Sequence, residues 1–247
     1  MNIIKHIPNT ITSANLFCGL AGVIFTFKGQ FGIAFYLMLA AAVCDFCDGL
    51  AARLLNAYSD LGKELDSLAD MVSFGALPAL MAHRLMISCG TNGVLCYVPL
   101  LIAVFSAIRL AKFNIDERQT ESFIGLATPA CAMICGSFAY YVSQDPTSVL
   151  YGWASCRFFI PAASIILSFL LVSEIPMFSM KFKKNILPGS PIHKQRIGFI
   201  GVIVVASVLV LLLGLNWSMI ILLAFISYII MNLGIMLMPR TKKGMTR

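Results

Sequence analysis

Apolar runs long enough to cross a bilayer recur along almost the whole chain, and they decide the fold class before any motif is weighed. A hydrocarbon core about 30 Å thick takes roughly 20 apolar residues in helical form. Backbone groups in lipid have no water to bond, so such a run must be helical unless strands close into a barrel. Barrel strands are short and alternate in polarity, and no such pattern is present. The expectation is an all-α, polytopic transmembrane bundle. A mean hydropathy of +0.88 sets aside a soluble globular domain.

Eight helices are predicted, near residues 11–27, 32–57, 66–87, 93–113, 124–143, 153–173, 196–213 and 217–238. No small-residue cleavage site follows the short N-terminus, so the first is read as a retained helix rather than a signal peptide. The polar break SEIPMFSMKFKKNILPGSPIHKQR divides the chain. Residues 1–184 are expected to form a six-helix core. Residues 185–247 form a C-terminal helix pair with a basic tail, packed on the core rather than independent.

The charges orient this bundle. With a cytoplasmic N-terminus, 15 of the 18 Lys and Arg lie in cytoplasmic segments, leaving only Lys28, Arg84 and Arg157 on the other side. The positive-inside rule therefore predicts eight spans with both termini in the cytoplasm. A net charge of +7 placed in loops points to orientation and anionic lipid headgroups, not to nucleic acid. Eight cysteines lie mostly in apolar runs. Cys44 and Cys47 form a CxxC, but no second pair or nearby His completes a zinc set, so both are read as small hydrophobes.

One stretch breaks the pattern. CDFCDGLAARLLNAYSDLGKELDSLAD, from Cys44 to Asp70, holds six of the eleven acidic residues. At 100° per residue, Asp45, Asp48 and Ala52 share a face, with Gly49 and Arg53 beside it. Asp66 and Asp70, four apart, share a face of the next helix. The short connection lets the two helices oppose these faces. Four converging carboxylates near hydrocarbon need cationic compensation. Mg²⁺ or Mn²⁺ suits such oxygen ligands, and four carboxylates suit a pair of ions. Gly49, Ala51 and Ala52 leave room on that side, and Arg53 can meet a phosphate oxygen. Asp60 and Glu64 read as ordinary solvated acids. A metal site and a cation-transport pathway both remain open at this point.

Asp45-x2-Asp48-Gly49-x2-Ala52-Arg53-x8-Gly62-x3-Asp66-x3-Asp70 resembles the signature of the CDP-alcohol phosphotransferases at every fixed position. The resemblance implies a core of six transmembrane helices, often a homodimer, with two metal ions in a cytoplasm-facing cavity. It implies that Asp45, Asp48 and Asp66 hold one ion, and Asp45, Asp66 and Asp70 the other. Gly49, Arg53 and Ser59 would contact the CDP moiety, Ala52 would give it room, and Gly62 would permit a close turn. Asp70 would be the general base on the acceptor hydroxyl.

Further stretches resemble the membrane-type phosphatidylserine synthases within that family: IPNTITSANLFCG, IRLAKFN, FIGLATPACA and LLVSEIPMFSMKFK. The family often reads F-x-G-L-P-x-P, where this chain has Ala127 at the first proline. This branch implies transfer of a phosphatidyl group from CDP-diacylglycerol to L-serine, in the cytoplasmic membrane with the site facing the cytoplasm. Serine's carboxylate calls for a cation near the metals, and Arg109, Lys112 and Asn114 are the candidates. Asn9 and Thr12 are expected to line the nucleotide side, although Asn9 could equally cap the first helix. Glycerol 3-phosphate or an inositol phosphate is the rival acceptor, and a membrane cation transporter the rival from another class.

Overall fold

A computed structural model of the chain describes residues 6–115, 123–177 and 191–237. The basic residues Lys5, Arg118, Lys181, Lys183, Lys184, Arg240, Lys242, Lys243 and Arg247, used above for orientation, lie outside the described residues. Helix α1 runs Ile7–Phe27 and α2 Phe31–Leu54. Next come α3 (Asp60–Asp70), a π-helical turn (Met71–Ala76) and α4 (Leu77–Ser88), which together make one 29-residue span. A 3₁₀ segment, Val94–Leu100, leads into α5 (Leu101–Ile115). The rest is α6 (Thr128–Gln144), α7 (Val149–Ser155), α8 (Phe159–Val172), α9 (Pro191–Leu212) and α10 (Ser218–Leu237).

Local chemistry sets several of these boundaries. Pro8 sits in the first turn of α1, where its missing N–H costs no bond, and the helix starts four residues before the expected 11. The helix expected over 153–173 is instead two helices, α7 and α8, bent by 87°. Ser148 caps α7, and Cys156 takes an extended conformation that ends it. Four helical stretches are long and apolar enough to cross a membrane, or five if the bent pair is one span. Among the described residues, the stretches Ile197–Leu212 and Ser218–Gly234 are apolar but shorter. Apolar helices on this scale mark an integral membrane protein.

One detail departs from an all-helical chain. Phe123–Ile124 pairs antiparallel with Pro176–Met177, forming a two-residue ribbon. Gly125 follows at φ +76°, and a Cβ there would lie 2.8 Å from the carbonyl oxygens of Leu171 and Ser173. Only glycine fits this turn.

Packing follows the small residues, as expected where lipid removes the hydrophobic drive between helices. Gly19 of α1 lets the π-helical turn approach so closely that a Cβ would stand 3.0 Å from Ser73 Cα. Gly22 likewise admits Leu77. The core between α2, α4 and α6 is filled by Phe35, Met38, Phe74, Leu77 and Met81. At one end, Trp217, just before α10, stacks on Phe35 and Tyr36, with ring centroids 5.8 and 5.9 Å apart.

Candidate metal and nucleotide site

The site is made by the reversal from α2 to α3. Asn56, just past the end of α2, is left-handed at φ +49°. Its N–H bonds the carbonyl of Arg53, and the N–H of Ala57 bonds that of Ala52. This pair of bonds is a Schellman motif, and Asn is among the residues that tolerate the left-handed position. Ser59 then caps α3, its hydroxyl accepting from the Gly62 N–H at 3.0 Å. The five residues 55–59 thus turn the chain so that the acids of α2 meet Asp66 of α3.

Asp45, Asp48 and Asp66 each offer a carboxylate oxygen within 4.8 Å of the others. Asp48 is buried, and the Thr12 hydroxyl of α1 donates to its Oδ2 at 2.7 Å. Asp66 Oδ1 is buried with no hydrogen-bond partner. Three converging carboxylates, one with an orphaned oxygen, form a donor set suited to a hard divalent cation. The residues fit the metal that the sequence implies.

Beside the carboxylates lies a cavity of about 240 Å³. All five residues expected to contact CDP line it: Gly49, Ala52, Arg53, Ser59 and Gly62. Asp48 and Asp66 line it too, as do Asn9 and Thr12. Nothing stands within 4 Å of where a Gly49 Cβ would be, so this face of α2 is open. Arg53 is exposed at the cavity. The first helix is capped by His6 without a side-chain bond, so Asn9 is free of the capping alternative. Gly62 does not sit in a turn. It lies in the first turn of α3, where a Cβ would be 2.9 Å from Asn9 Oδ1, so its missing side chain admits α1.

Asp70 is not among the three whose oxygens lie within 4.8 Å of one another, but Asp45 and Asp66 are its charged neighbours. Asp70 lies one turn beyond Asp66, at the start of the π-helical turn, and Asn15 Nδ2 of α1 donates to its Oδ1 at 3.3 Å. It is in turn a charged neighbour of Arg109.

The three headgroup candidates separate. Arg109 is buried; its Nη1 donates to Thr128 Oγ1 at 2.8 Å, and its Nε has no partner. A side chain anchored at the membrane surface would be exposed, and Arg109 is not. Lys112 lies on the exposed face of α5. Asn114 ties α5 to α3, its Nδ2 donating to Ser67 Oγ at 2.9 Å and its carbonyl accepting from Lys63 Nζ at 3.0 Å. The structure brings neither of these two to the carboxylates.

Asn15 escaped the sequence reading, as did Thr128. A signal for Asn15 was present. Pro8, Thr12, Asn15, Gly19 and Gly22 recur at helical spacing, and these are buried positions of α1. A polar and small stripe inside an apolar helix marks the face turned to the protein.

A family profile described as CDP-alcohol phosphatidyltransferase matches residues 5–170. A protein of Bacillus subtilis named CDP-diacylglycerol--serine O-phosphatidyltransferase is 33% identical over 190 residues, covering 75% of this chain and 98% of that protein. A Helicobacter pylori protein of the same name is 36% identical over 136 residues, 54% of this chain and 57% of that one. An archaetidylserine synthase of Methanothermobacter thermautotrophicus is 29% identical over 171 residues, 68% of each chain. The chain thus spans nearly all of the Bacillus relative and somewhat over half of the Helicobacter one.

Proposed function

Because the chain belongs to the CDP-alcohol phosphatidyltransferase family, we propose that it transfers the phosphatidyl group of CDP-diacylglycerol to the hydroxyl of L-serine, giving phosphatidylserine and CMP. The observation that carries the reaction class is the meeting of Asp45, Asp48 and Asp66 beside the cavity lined by Gly49, Ala52 and Arg53. The acceptor rests on the names of the relatives and on the buried Arg109 near Asp70.

In this reading Asp45, Asp48 and Asp66 hold one divalent ion, and Asp45, Asp66 and Asp70 a second, Mg²⁺ or Mn²⁺. When bound, such ions supply charge stabilisation to the transferred phosphoryl group and lower the pKa of a nearby hydroxyl. Gly49 and Ala52 let the nucleotide approach the α2 backbone, and Arg53 meets a phosphate oxygen. Ser59 and Gly62 close the same cavity. Asp70 takes the serine hydroxyl proton as the oxygen bonds to the phosphorus that carries diacylglycerol. The bond from that phosphorus to the CMP oxygen breaks, and CMP leaves with its electron pair. Asn15 keeps one Asp70 oxygen occupied, which leaves the other for this proton. Arg109 reads the serine carboxylate. Lys112 and Asn114 are the further head-group candidates at the end of α5, where Asn114 bonds Ser67 next to Asp66.

The proposed setting is the cytoplasmic membrane, with eight spans, both termini inside and the cavity open to the cytoplasm. Residues 1–184 carry the chemistry, and residues 185–247 form a pair packed upon them. The proposed assembly is a homodimer. The test is CMP release by purified protein supplied with CDP-diacylglycerol, metal and one acceptor from serine, glycerol 3-phosphate, inositol or inositol phosphate, with the lipid product identified. Phosphatidylserine formed with serine alone is expected. Release of CMP only with a phosphorylated acceptor would overturn the choice of serine, and no release with any acceptor would overturn the reaction class.

A further inference from the structure

Seven buried side-chain polar atoms lack a hydrogen-bond partner among the described residues, and four of them belong to Asn15, Asp66, Ser106 and Arg109. These four residues gather around one place. Asp66 lies one turn before Asp70, and Asn15 bonds Asp70 directly. Arg109 has Asp70 as a charged neighbour, and its helix α5 packs on the π-helical turn that begins just after Asp70. Ser106 stands one turn before Arg109 on α5 and packs on Gly75 of the π-helical turn. Unmatched buried polar atoms are rare in folded proteins, and each implies a partner that the chain itself does not supply.

The chemistry of the orphans is specific. A carboxylate only accepts, so the Asn15 amide must turn its nitrogen to Asp70. Its oxygen Oδ1 is left as a buried acceptor with nothing to accept. Arg109 is left with the opposite, a buried donor at Nε. An unmatched acceptor bonded through its amide to Asp70 and an unmatched cationic donor nearby match a small zwitterion whose hydroxyl meets Asp70.

We propose that Asn15 Oδ1 receives the ammonium group of the acceptor substrate, so that Asn15, Asp70 and Arg109 together recognise an α-amino-β-hydroxy acid. This rests on the reading of serine as acceptor and adds the group that selects for its amine. The backbone supports the assignment. Ser73 Oγ donates to the Asn15 carbonyl at 3.0 Å, fastening α1 to the π-helical turn just beyond Asp70. Asn15 is fully buried, so its amide is held by packing and not by solvent. Turns of π-helix recur at functional sites, where the extra residue re-aims side chains.

The test separates recognition of the ammonium from positioning of Asp70. 3-Hydroxypropionate is serine without the amine and keeps the hydroxyl and carboxylate. The ratio of kcat/KM for L-serine over 3-hydroxypropionate is measured in the wild type, in Asn15→Ala and in Asn15→Leu. Leucine keeps the branched shape of the amide and covers the case in which alanine fails to fold. Loss of the Asp70 hydrogen bond alone lowers both acceptors equally and leaves the ratio unchanged. Loss of the ammonium contact lowers the ratio roughly tenfold or more, the effect of one hydrogen bond to a charged group. Affinity for CMP, read by calorimetry, should stay within about threefold in a folded variant. A ratio unchanged in a folded variant that still binds CMP overturns the assignment. A wild type that makes no product from serine overturns the acceptor itself, which is a different result.

Discussion

Replacing Thr12 by valine removes a hydroxyl that reaches both the Asp48 carboxylate, at 2.7 Å, and the Pro8 carbonyl of its own helix, at 3.0 Å, and little else. Thr12 is 3% exposed and Asp48 5%, and the bond between them is 2.7 Å. Valine fills the same volume, so no cavity forms. What is lost is a donor to a buried carboxylate, a contribution of about 1.5–3 kcal/mol when the partner is charged. The bond joins α1 to α2, so its loss frees Asp48 to rotate away from Asp45 and Asp66. At ~1.4 kcal/mol per decade, metal affinity should weaken roughly 10–100-fold. The same range applies when the partner of a metal ligand is removed. The assay is calorimetric titration of Mn²⁺ into purified protein without substrate, with the metal dependence of CMP release beside it. Thr12→Ser keeps the hydroxyl and should stay within about threefold of the wild type. A folded Thr12→Val protein that binds Mn²⁺ as tightly as the wild type would refute the claim that Asp48 is a ligand oriented from α1.

Asp66→Asn should nearly abolish CMP release, since its orphaned Oδ1 lies in the three-carboxylate group; full turnover in excess chelator would end the metal reading. Arg109→Lys keeps the charge but loses the planar fork, so the KM for serine should rise roughly tenfold with kcat and the KM for CDP-diacylglycerol little changed. An unchanged serine KM would remove Arg109 from the acceptor pocket. Gly125→Ala should lower stability by at least about 1–2 kcal/mol, because it adds a Cβ against two carbonyls at a left-handed φ; the check is thermal unfolding in detergent, where an unchanged Tm contradicts the turn. Reporter fusions at the C-terminus should report the cytoplasm, and an external Arg247 would reverse the orientation.

Much of the candidate site was legible because it is local. Gly49, Ala52 and Arg53 follow Asp48 on one helix, and helical spacing alone places them on adjoining faces. The reversal itself was misplaced, with helices expected over 32–57 and 66–87 where α2 ends at Leu54 and α3 starts at Asp60, although its turn signals were in the chain. Asn56 and Ser59 are residues that end one helix and start another, and their bonds close the reversal as such residues do. The headgroup candidates were harder. Arg109, Lys112 and Asn114 lie within six residues of one another near the end of α5. The chain order does not say which of them turns inward, because that depends on how α5 is rotated against α3 and α6.

By itself, the sequence determined a helical membrane protein with its acids gathered at one reversal. Apolar length and the absence of water leave the backbone no other solution in lipid. Only the tertiary structure decided that Asp66 closes with Asp45 and Asp48 while Asp70, one turn on, bonds Asn15. Residues four apart, such as Asp66 and Asp70, share a helical face but lie about 6 Å apart along the axis. The neighbour each one meets is therefore set by where α1 crosses. That crossing depends on Gly19 and Gly22 and on a π-helical turn that shifts the helical phase just after Asp70. The 87° break between α7 and α8 is of the same kind. Hydropathy measures how apolar a stretch is, not the direction in which its axis runs.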